Sequence, residues 1–325
     1  MNDNGAPSAQ ADTESARGTG WAVAAVLSGA VCLSVSAVVV KLAGIDAATT
    51  AVLRCAIAIV PLIPLALWEG RRKTRLTARG IAWSIAAGVA LGIDYSAWTA
   101  SIFLVGAGVS TVLINIQVIV LPLLAFLIDR ERPRRRFLVA VPLMLVGVGL
   151  VSGLGGSGGE TIGGPGPGGI RIDGVLLGLL AGLGYGTYLF LNRRATGTGA
   201  RLALQPLTWA TGAAALTSAG IAQFSGGLQF SGISPRSWGL LIVLALVGQV
   251  AAWLFIHHGS ARLSASVTAS LLLLQPVLAL AAAAIVLGER YGRDQLLGAA
   301  LVVGAVAVVT GAVPRRRPRR RPHRP

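Results

Sequence analysis

The stretch QPVLALAAAAIVLGER, residues 275–290, begins with a glutamine and a proline, continues wholly apolar and ends on an adjacent acid and base. Residues 117–132, QVIVLPLLAFLIDRER, have the same glutamine start, apolar middle and Glu-Arg end, 158 positions earlier. Apolar matches between two such segments carry little information, but the glutamine and the Glu-Arg-x-x-Arg pattern fall in one register. The chain is therefore interpreted as two copies of one structural unit.

The composition of the chain predicts a membrane protein. Of its 325 residues, 54% are hydrophobic and only 12% are charged, and that charged fraction is about half of what a soluble domain carries. Many apolar runs exceed the roughly 18–20 residues that a helix needs to cross a bilayer. Apolar runs between charges and Gly/Pro breaks predict ten helices, over residues 21–43, 48–68, 81–104, 109–128, 137–151, 174–191, 204–224, 238–256, 264–287 and 296–313.

Ten helices divide into five per copy, and an odd number makes the second copy cross the membrane in the opposite sense. The predicted fold is an all-α membrane protein with ten transmembrane helices arranged as two inverted five-helix repeats, an architecture that secondary transporters build around a midplane site. The predicted segments are an N-terminal tail (1–19), the first repeat (20–152), a Gly/Pro-rich external linker (153–171), the second repeat (172–313) and a basic tail (314–325).

The positions of the 28 basic residues predict the orientation. Most of them flank the predicted spans on the side that holds both termini, and cytoplasmic segments carry such an excess. Both termini are therefore expected in the cytoplasm and the protein in the cell (cytoplasmic) membrane. The arginine-rich tail has no aromatic residue that could stack on a base. It is interpreted as a topology signal that contacts membrane lipid, and no nucleic-acid partner is expected.

Four segments resemble a known family. VSTVLINIQVIVLPLLAFLIDRERPRRR and SVTASLLLLQPVLALAAAAIVLGERYGRDQLLGAALVVGAV look like the paired EamA domains of the drug/metabolite transporter superfamily. VVVKLAG and AVLRCAIAIVPL match the Lys and Arg that this family tends to carry on its first two helices. The first copy departs from the pattern, with Val118 where the second has Pro276. The resemblance covers about residues 20–313 and implies a ten-helix exporter of small metabolites, often amino acids or toxic organic compounds.

The sequence offers little support for catalysis. It has no His-Glu-x-x-His and no phosphate-binding GxxxxGK[ST], and Cys32 and Cys55 both lie in predicted spans, which makes a disulfide or a cysteine metal site improbable. No enzyme activity, metal or cofactor is predicted. The predicted function is secondary-active export of a small organic metabolite such as an amino acid. Broader drug efflux, and a membrane channel or scaffold without active transport, are the alternatives.

Three ionisable residues are candidates for coupling or gating, because a charge in a span is costly. Asp94, past the middle of the third helix, is interpreted either as a proton-coupling or amine-binding carboxylate, or as a structural group that bonds another helix or pairs with Arg54. Arg54 could bind a carboxylate, but snorkelling to the external interface is the favoured interpretation. Lys41 ends the first helix and is expected to snorkel in the same way.

Aromatic and amide side chains within the spans are candidates for the solute-binding site. The aromatic candidates are Tyr95, Trp98, Tyr185, Tyr188 and Trp253, and the amide candidates are Asn115, Gln117 and Gln275. Packing against helices or lipid is the alternative role for the aromatic residues. For the amides, the alternative is hydrogen bonding between helices.

The Glu-Arg pairs at the ends of the two copies, Glu131-Arg132 and Glu289-Arg290, are interpreted as tight-turn structure rather than as gating salt bridges. A carboxylate at a helix C-terminus opposes the helix dipole, so the adjacent arginine is the expected compensating charge. The inverted repeat places Glu131 on the cytoplasmic side and Glu289 on the outside.

Overall fold

The computed structural model describes residues 7–130, 135–151, 171–196, 202–260, 263, 271–272 and 274–310. These ranges hold ten main helices and no strand. The helices are α1 Pro7–Ala43, α2 Ala47–Arg72, α3 Ala78–Val105, α4 Ala107–Asp129, α5 Arg135–Val151, α6 Ile172–Thr196, α7 Leu204–Phe224, α8 235–260, α9 Leu274–Leu287 and α10 Arg293–Thr310. Residues 153–170 of the predicted linker and the whole basic tail lie outside the described residues.

Six of these helices are long and apolar enough to cross a membrane: Gly20–Ala43 of α1, α2, α3, α4, Ile172–Ala195 of α6 and Pro235–Ile256 of α8. Two further apolar segments, Ala140–Val151 of α5 and α9, are shorter. Because about 20 apolar residues in a helix cover the hydrocarbon core, the lengths support a multi-pass membrane protein. The count of ten spans stays a prediction.

Side-chain caps fix the starts of several helices. Asp46 accepts a hydrogen bond from the Thr49 N–H at 2.8 Å at the start of α2, and Ser234 accepts one from the Ser237 N–H at 3.1 Å at the start of α8. Each bond satisfies an amide that the first helical turn leaves without a partner. The junction between α3 and α4 is a single residue, Gly106, with φ of 92°. Only glycine adopts this conformation without strain, and it allows the chain to reverse direction at once.

The packing of the helices has the symmetry of the repeat. The pairs α1–α8 and α1–α9 recur in the second copy as α6–α3 and α6–α4, and α2–α8 recurs as α7–α3. The pairs α2–α7, α4–α9 and α5–α10 join equivalent helices of the two copies. When each helix is replaced by its equivalent in the other copy (α1 by α6, α2 by α7 and so on), the main contacts are reproduced. This is expected for two copies related by a pseudo-two-fold axis.

Two ion pairs show that the copies run in opposite directions. Lys41 at the end of α1 pairs with Glu289 just after α9, with Nζ and Oε1 2.9 Å apart. Arg194 near the end of α6 pairs with Asp129 at the end of α4. The two pairs join corresponding helices of the two copies, although the repeat aligns Glu289 with Glu131 rather than with Asp129, and they lie at opposite ends of the bundle. We call these the Glu289 end and the Asp129 end.

Two of the helices are irregular near their middles. A short 3₁₀ turn, Ile114–Ile116, interrupts α4, and a π-helical turn, Leu246–Ala251, interrupts α8. Such turns change the direction in which side chains leave a helix and are frequent at functional sites. Both irregular helices contribute residues to the cavity described next.

Candidate functional site

A cavity lies between seven helices drawn from both copies. The empty space among its lining side chains, including the part open to the surroundings, is about 450 Å³. The lining residues are Leu33, Ser36, Arg54, Asp94, Tyr95, Trp98, Thr111, Ile114, Tyr185, Trp253 and Gln275. The wall is therefore mostly apolar and aromatic, with one acid and one base, which is the usual composition of a site for a small organic ligand.

Most of the side chains selected from the sequence meet in this cavity. Those that line it are Arg54, Asp94, Tyr95, Trp98, Tyr185, Trp253 and Gln275. Of the others, Tyr188 is fully buried and lies 6.2 Å from the ring of Tyr185 in a stacked arrangement. Asn115 donates to the Thr111 carbonyl of its own helix at 2.8 Å, and the half-buried Gln117 does not line the cavity. Lys41 lies at the Glu289 end.

Arg54 is only 2% exposed, and its guanidinium carbon lies 3.9 Å from the ring centre of Tyr95. A second ring, Trp98, lies 5.6 Å away. The interpretation that Arg54 snorkels to the interface is therefore wrong, because the first turns of α2 face α3 and the aromatic rings there take the place of water around the cation. Its Nε and Nη1 atoms have no hydrogen-bond partner among the described residues.

Asp94 is also only 2% exposed, and its Oδ1 atom has no hydrogen-bond partner in the described part of the chain. The predicted structural alternative, a bond to another helix or an ion pair with Arg54, is not found within those ranges. Gly184 explains the depth of the carboxylate. A Cβ at Gly184 would lie 3.0 Å from the Asp94 backbone nitrogen, so glycine lets α6 press against α3 beside Asp94.

Behind the cavity, a polar chain runs through residues that the sequence analysis did not select. The Tyr95 hydroxyl donates to Oε1 of Gln249, and Nε2 of Gln249 donates to Thr211 Oγ1 at 3.2 Å. Gln249 is fully buried and lies in the π-helical turn of α8. The signal was present in the sequence, since Gln249 is a lone amide in an apolar run, as is Gln275.

Glu289 closes one end of the bundle by binding three separate segments. Besides the ion pair with Lys41, it accepts hydrogen bonds from the N–H groups of Ala107 and Gly108 at 2.8 and 3.2 Å. The Tyr291 hydroxyl donates to it at 2.8 Å. Burial would raise the pKa of Glu289, but the hydrogen bonds from Lys41 and Ala107 and the charge of Lys41 outweigh it, so its pKa lies below the ordinary value.

These contacts bear on two expectations. Lys41 reaches the Glu289 end, as snorkelling would require, but its ammonium group there pairs with Glu289. The compensating positive charge for Glu289 is Lys41 together with the N-terminus of α4, whereas the adjacent Arg290 is exposed. The equivalent pair in the first copy, Glu131-Arg132, lies outside the described residues.

The Asp129 end has its own polar contacts. Arg194 pairs with Asp129 and lies 4.4 Å from the ring centre of Phe190. Glu69, only 2% exposed, accepts hydrogen bonds from the N–H groups of Ala203 and Leu204 at 3.1 and 3.0 Å, and so caps α7. Asp129, Arg194 and Glu69 were not among the predicted site residues, because Arg194–Asp129 and Glu69–Ala203 join segments far apart in the chain.

Comparison with known proteins finds a matching family and structurally similar solved proteins. The family described as "EamA-like transporter family" matches residues 20–153 and 172–311. A solved structure titled "Crystal structure of protein" is similar with a TM-score of 0.58 at 17% sequence identity, over 90% of this chain and 96% of the other. This likeness shows the fold alone. No curated protein matches the sequence.

Proposed function

Because this chain belongs to the EamA-like transporter family, as its two matched repeats show, we propose that it is a secondary transporter that exports a small zwitterionic metabolite. The proposed substrate is an amino acid with an apolar side chain. One observation carries the proposal: Arg54 and Asp94 line the same cavity, both are almost fully buried, and each has a polar atom without a hydrogen-bond partner in the described residues.

A zwitterion complements this pair of charges. Burying a charge without a partner is expensive, and a ligand that supplies the missing partner recovers part of that free energy on binding. A substrate carboxylate fits Arg54, whose planar guanidinium donates in pairs, and a substrate ammonium fits Asp94. The aromatic and aliphatic wall, which includes Tyr185, Trp253 and Leu33, suits an apolar side chain.

The same charges weigh against the broader alternatives. A hydrophobic drug without charge would leave both Arg54 and Asp94 without partners, and a simple organic cation would meet the buried guanidinium of Arg54. Both cases cost desolvation free energy that the ligand does not return. The zwitterion therefore has more support than general efflux of organic compounds.

Asp94 also offers a means of coupling to protons. A carboxylate that binds either a proton or the substrate ammonium, but not both, exchanges one for the other when it faces alternate sides of the membrane. Such competition produces proton–substrate antiport, in which protons enter as the metabolite leaves. Intramembrane carboxylates commonly serve as proton relays in transporters.

Alternating access would use the two ends of the bundle. In the predicted orientation the Glu289 end faces outward and the Asp129 end faces the cytoplasm. We propose that the Lys41–Glu289 contact closes the outer end and that the Arg194–Asp129 contact belongs to the inner end. Rocking one repeat against the other then exposes the cavity to each side in turn.

Counterflow in proteoliposomes tests this function. Vesicles that contain the full chain are loaded with an unlabelled compound and mixed with the same compound in labelled form outside. We expect transient, saturable accumulation of labelled L-phenylalanine or L-leucine and none of an aromatic cation such as tetraphenylphosphonium. Flux that does not saturate indicates a channel, and accumulation of the cation alone indicates general efflux, so either result contradicts the proposal.

A further inference from the structure

Gln249 has an unusual environment for an uncharged polar residue in an apolar helix. Its amide is fully buried, and both ends are bonded, the oxygen by the Tyr95 hydroxyl and the nitrogen through Thr211 Oγ1. These partners lie on α3 and α7, so Gln249 on α8 joins three helices behind the cavity. It does not line the cavity itself.

The π-helical turn of α8 allows this placement. Residue Gly248, directly before Gln249, lies against α1, where a Cβ would be 2.2 Å from Ser36 Oγ. A side chain at position 248 would therefore displace the Ser36 hydroxyl, which donates to the Cys32 carbonyl at 2.9 Å. Because Gly248 has no side chain, the π-helical segment packs close to α1, and the Gln249 amide lies between α3 and α7.

Tyr95 links Gln249 to the cavity. The hydroxyl at the edge of its ring donates a hydrogen bond to Gln249 Oε1. The face of the same ring is turned towards Arg54, whose guanidinium carbon lies 3.9 Å from the ring centre. Fixing the hydroxyl therefore fixes the plane on which Arg54 rests. A cation–π contact weakens when the ring turns its edge towards the cation, because the negative potential is on the face.

We propose that Gln249 is a positioning residue for the substrate carboxylate. It holds the Tyr95 ring, which in turn keeps Arg54 stacked and separate from Asp94. In a cavity of low dielectric, two unpaired opposite charges attract each other strongly. If Arg54 left the ring and paired with Asp94, both groups would be lost to the substrate. This inference rests on the proposed function, in which Arg54 binds the carboxylate.

The proposal predicts an effect on selectivity. Gln249→Leu removes the acceptor for the Tyr95 hydroxyl, and Tyr95→Phe removes the hydroxyl while retaining the ring and nearly all of its volume. Each change should lower the preference for L-phenylalanine over phenethylamine, which lacks the carboxylate. A net hydrogen-bond contribution of about 1–1.5 kcal/mol corresponds to a loss of roughly tenfold in this ratio. The double variant should lose no more than either single one.

The measurement is equilibrium binding of both compounds to the purified full-length chain and its variants. Arg54→Gln serves as the reference for complete loss of carboxylate recognition. Ser218→Ala is the matched control, since Ser218 is buried on α7 and donates to the Gly92 carbonyl on α3 at 3.2 Å without touching Tyr95 or Gln249. A general loosening of the α3–α7 contact would change all variants alike, whereas the preference should survive in Ser218→Ala.

The outcomes separate the two claims. If Arg54→Gln loses the preference while Tyr95→Phe and Gln249→Leu keep it, the positioning role is overturned and the proposed function stands. If the wild-type protein shows no preference, or Arg54→Gln retains it, the proposed function fails and the positioning role fails with it. Should Gln249→Leu not fold, Tyr95→Phe alone decides, because it removes the same hydrogen bond from the other side.

Discussion

At the scale of single residues, recognition of a zwitterion depends on Arg54 and Asp94 staying apart. A guanidinium that is almost fully buried has lost most of its water, and its contacts with the faces of Tyr95 and Trp98 replace part of that hydration. Arginine suits this position better than lysine, because its flat group stacks on a ring and still presents N–H donors at its edge. Asp94 Oδ1 has no hydrogen-bond partner among the residues that the structure describes, so this carboxylate gains most from a proton or a substrate ammonium.

Proton coupling through Asp94 is tested by Asp94→Asn. The amide keeps the shape of the side chain but neither takes up nor releases a proton, so we expect counterflow to persist with weaker substrate binding. Accumulation driven by an acid-inside pH gradient should be lost. The control is Asp173→Asn, which changes an exposed carboxylate paired with Arg171 at the start of α6. Undiminished pH-driven accumulation in Asp94→Asn would rule out the coupling role.

The sequence predicted which residue types would form the site better than it predicted their environments. An acid, a base and aromatic rings in apolar spans are conspicuous because each is costly or unusual there, and seven of the selected residues line the cavity. Their partners could not be predicted, since a helix sequence does not show which neighbour a given face will meet. Arg54 was expected at the interface and lies on Tyr95, and Gln249 was overlooked although it bonds that same ring.

At the scale of helices, Glu289 joins α1 to the start of α4 and to the segment that leads into α10. Its carboxylate accepts from a side-chain cation, two backbone N–H groups and a phenol. The contact with the N-terminus of α4 adds a favourable interaction with the helix dipole. This arrangement depends on Gly106, because a Cβ there would lie 3.0 Å from the Glu289 carboxylate.

Glu289→Gln tests this junction. At neutral pH we expect a loss of about 1–3 kcal/mol in the free energy of unfolding, the cost of weakening a buried, charge-assisted network. The pKa of Glu289 is lowered in the folded protein, so its ionised form stabilises the fold above its ordinary value of 4.5. That contribution is lost as the pH falls below 4.5 through the folded pKa. The wild-type and Glu289→Gln stabilities should therefore converge in acid.

Thermal unfolding of the purified protein from pH 7 down to about pH 2 measures this effect, because the stabilisation is lost only below the ordinary pKa of the carboxylate. Lys41→Met provides a graded control, because it removes the ion pair but leaves the hydrogen bonds from Ala107, Gly108 and Tyr291 in place. Its loss of stability should be smaller than that of Glu289→Gln. Parallel pH curves for wild type and Glu289→Gln would show that the carboxylate charge does not stabilise this end.

At the scale of elements, the sequence predicted the helices well, because apolar length and capping residues act locally. It could not reveal the contact between Lys41 and Glu289, which are separated by 248 positions. The adjacent Arg290 offered a simpler local partner for the glutamate. In the fold, Glu289 bonds Lys41 on α1 and the first N–H groups of α4, and Arg290 is exposed.

At the scale of the whole molecule, the two copies provide matched contacts at opposite ends of one central cavity. The repeated glutamine and Glu-Arg pattern predicted the duplication, and an odd number of helices predicted the inversion. The specific helix pairs were not predictable, because the apolar faces of the helices are similar to one another. The structure adds the exchange symmetry of these pairs and an ion pair at each end of the bundle, Lys41–Glu289 and Arg194–Asp129.

Alternating access predicts that fixing one end stops transport. Cysteines are introduced by Lys41→Cys and Glu289→Cys in a chain whose Cys32 and Cys55 are replaced, and a cleavable thiol-reactive reagent joins them. This crosslink should arrest counterflow, and cleavage of the reagent should restore it. The matched control is Arg171→Cys with Asp173→Cys, another ion pair at 3.0 Å, which joins two positions at one helix start. Full counterflow after complete crosslinking of the first pair would contradict movement at the Glu289 end.

Zwitterion recognition by one acid and one base is the central claim, and substrate selectivity in paired variants tests it most directly. Counterflow is measured for L-phenylalanine, phenethylamine and 3-phenylpropionate with the wild type, Arg54→Gln and Asp94→Asn. The wild type should transport the amino acid in preference to both analogues. Arg54→Gln should shift the preference towards phenethylamine and Asp94→Asn towards 3-phenylpropionate. If both variants lose counterflow of all three compounds to the same extent, or keep the wild-type order of preference, Arg54 and Asp94 do not recognise the two charges of the substrate.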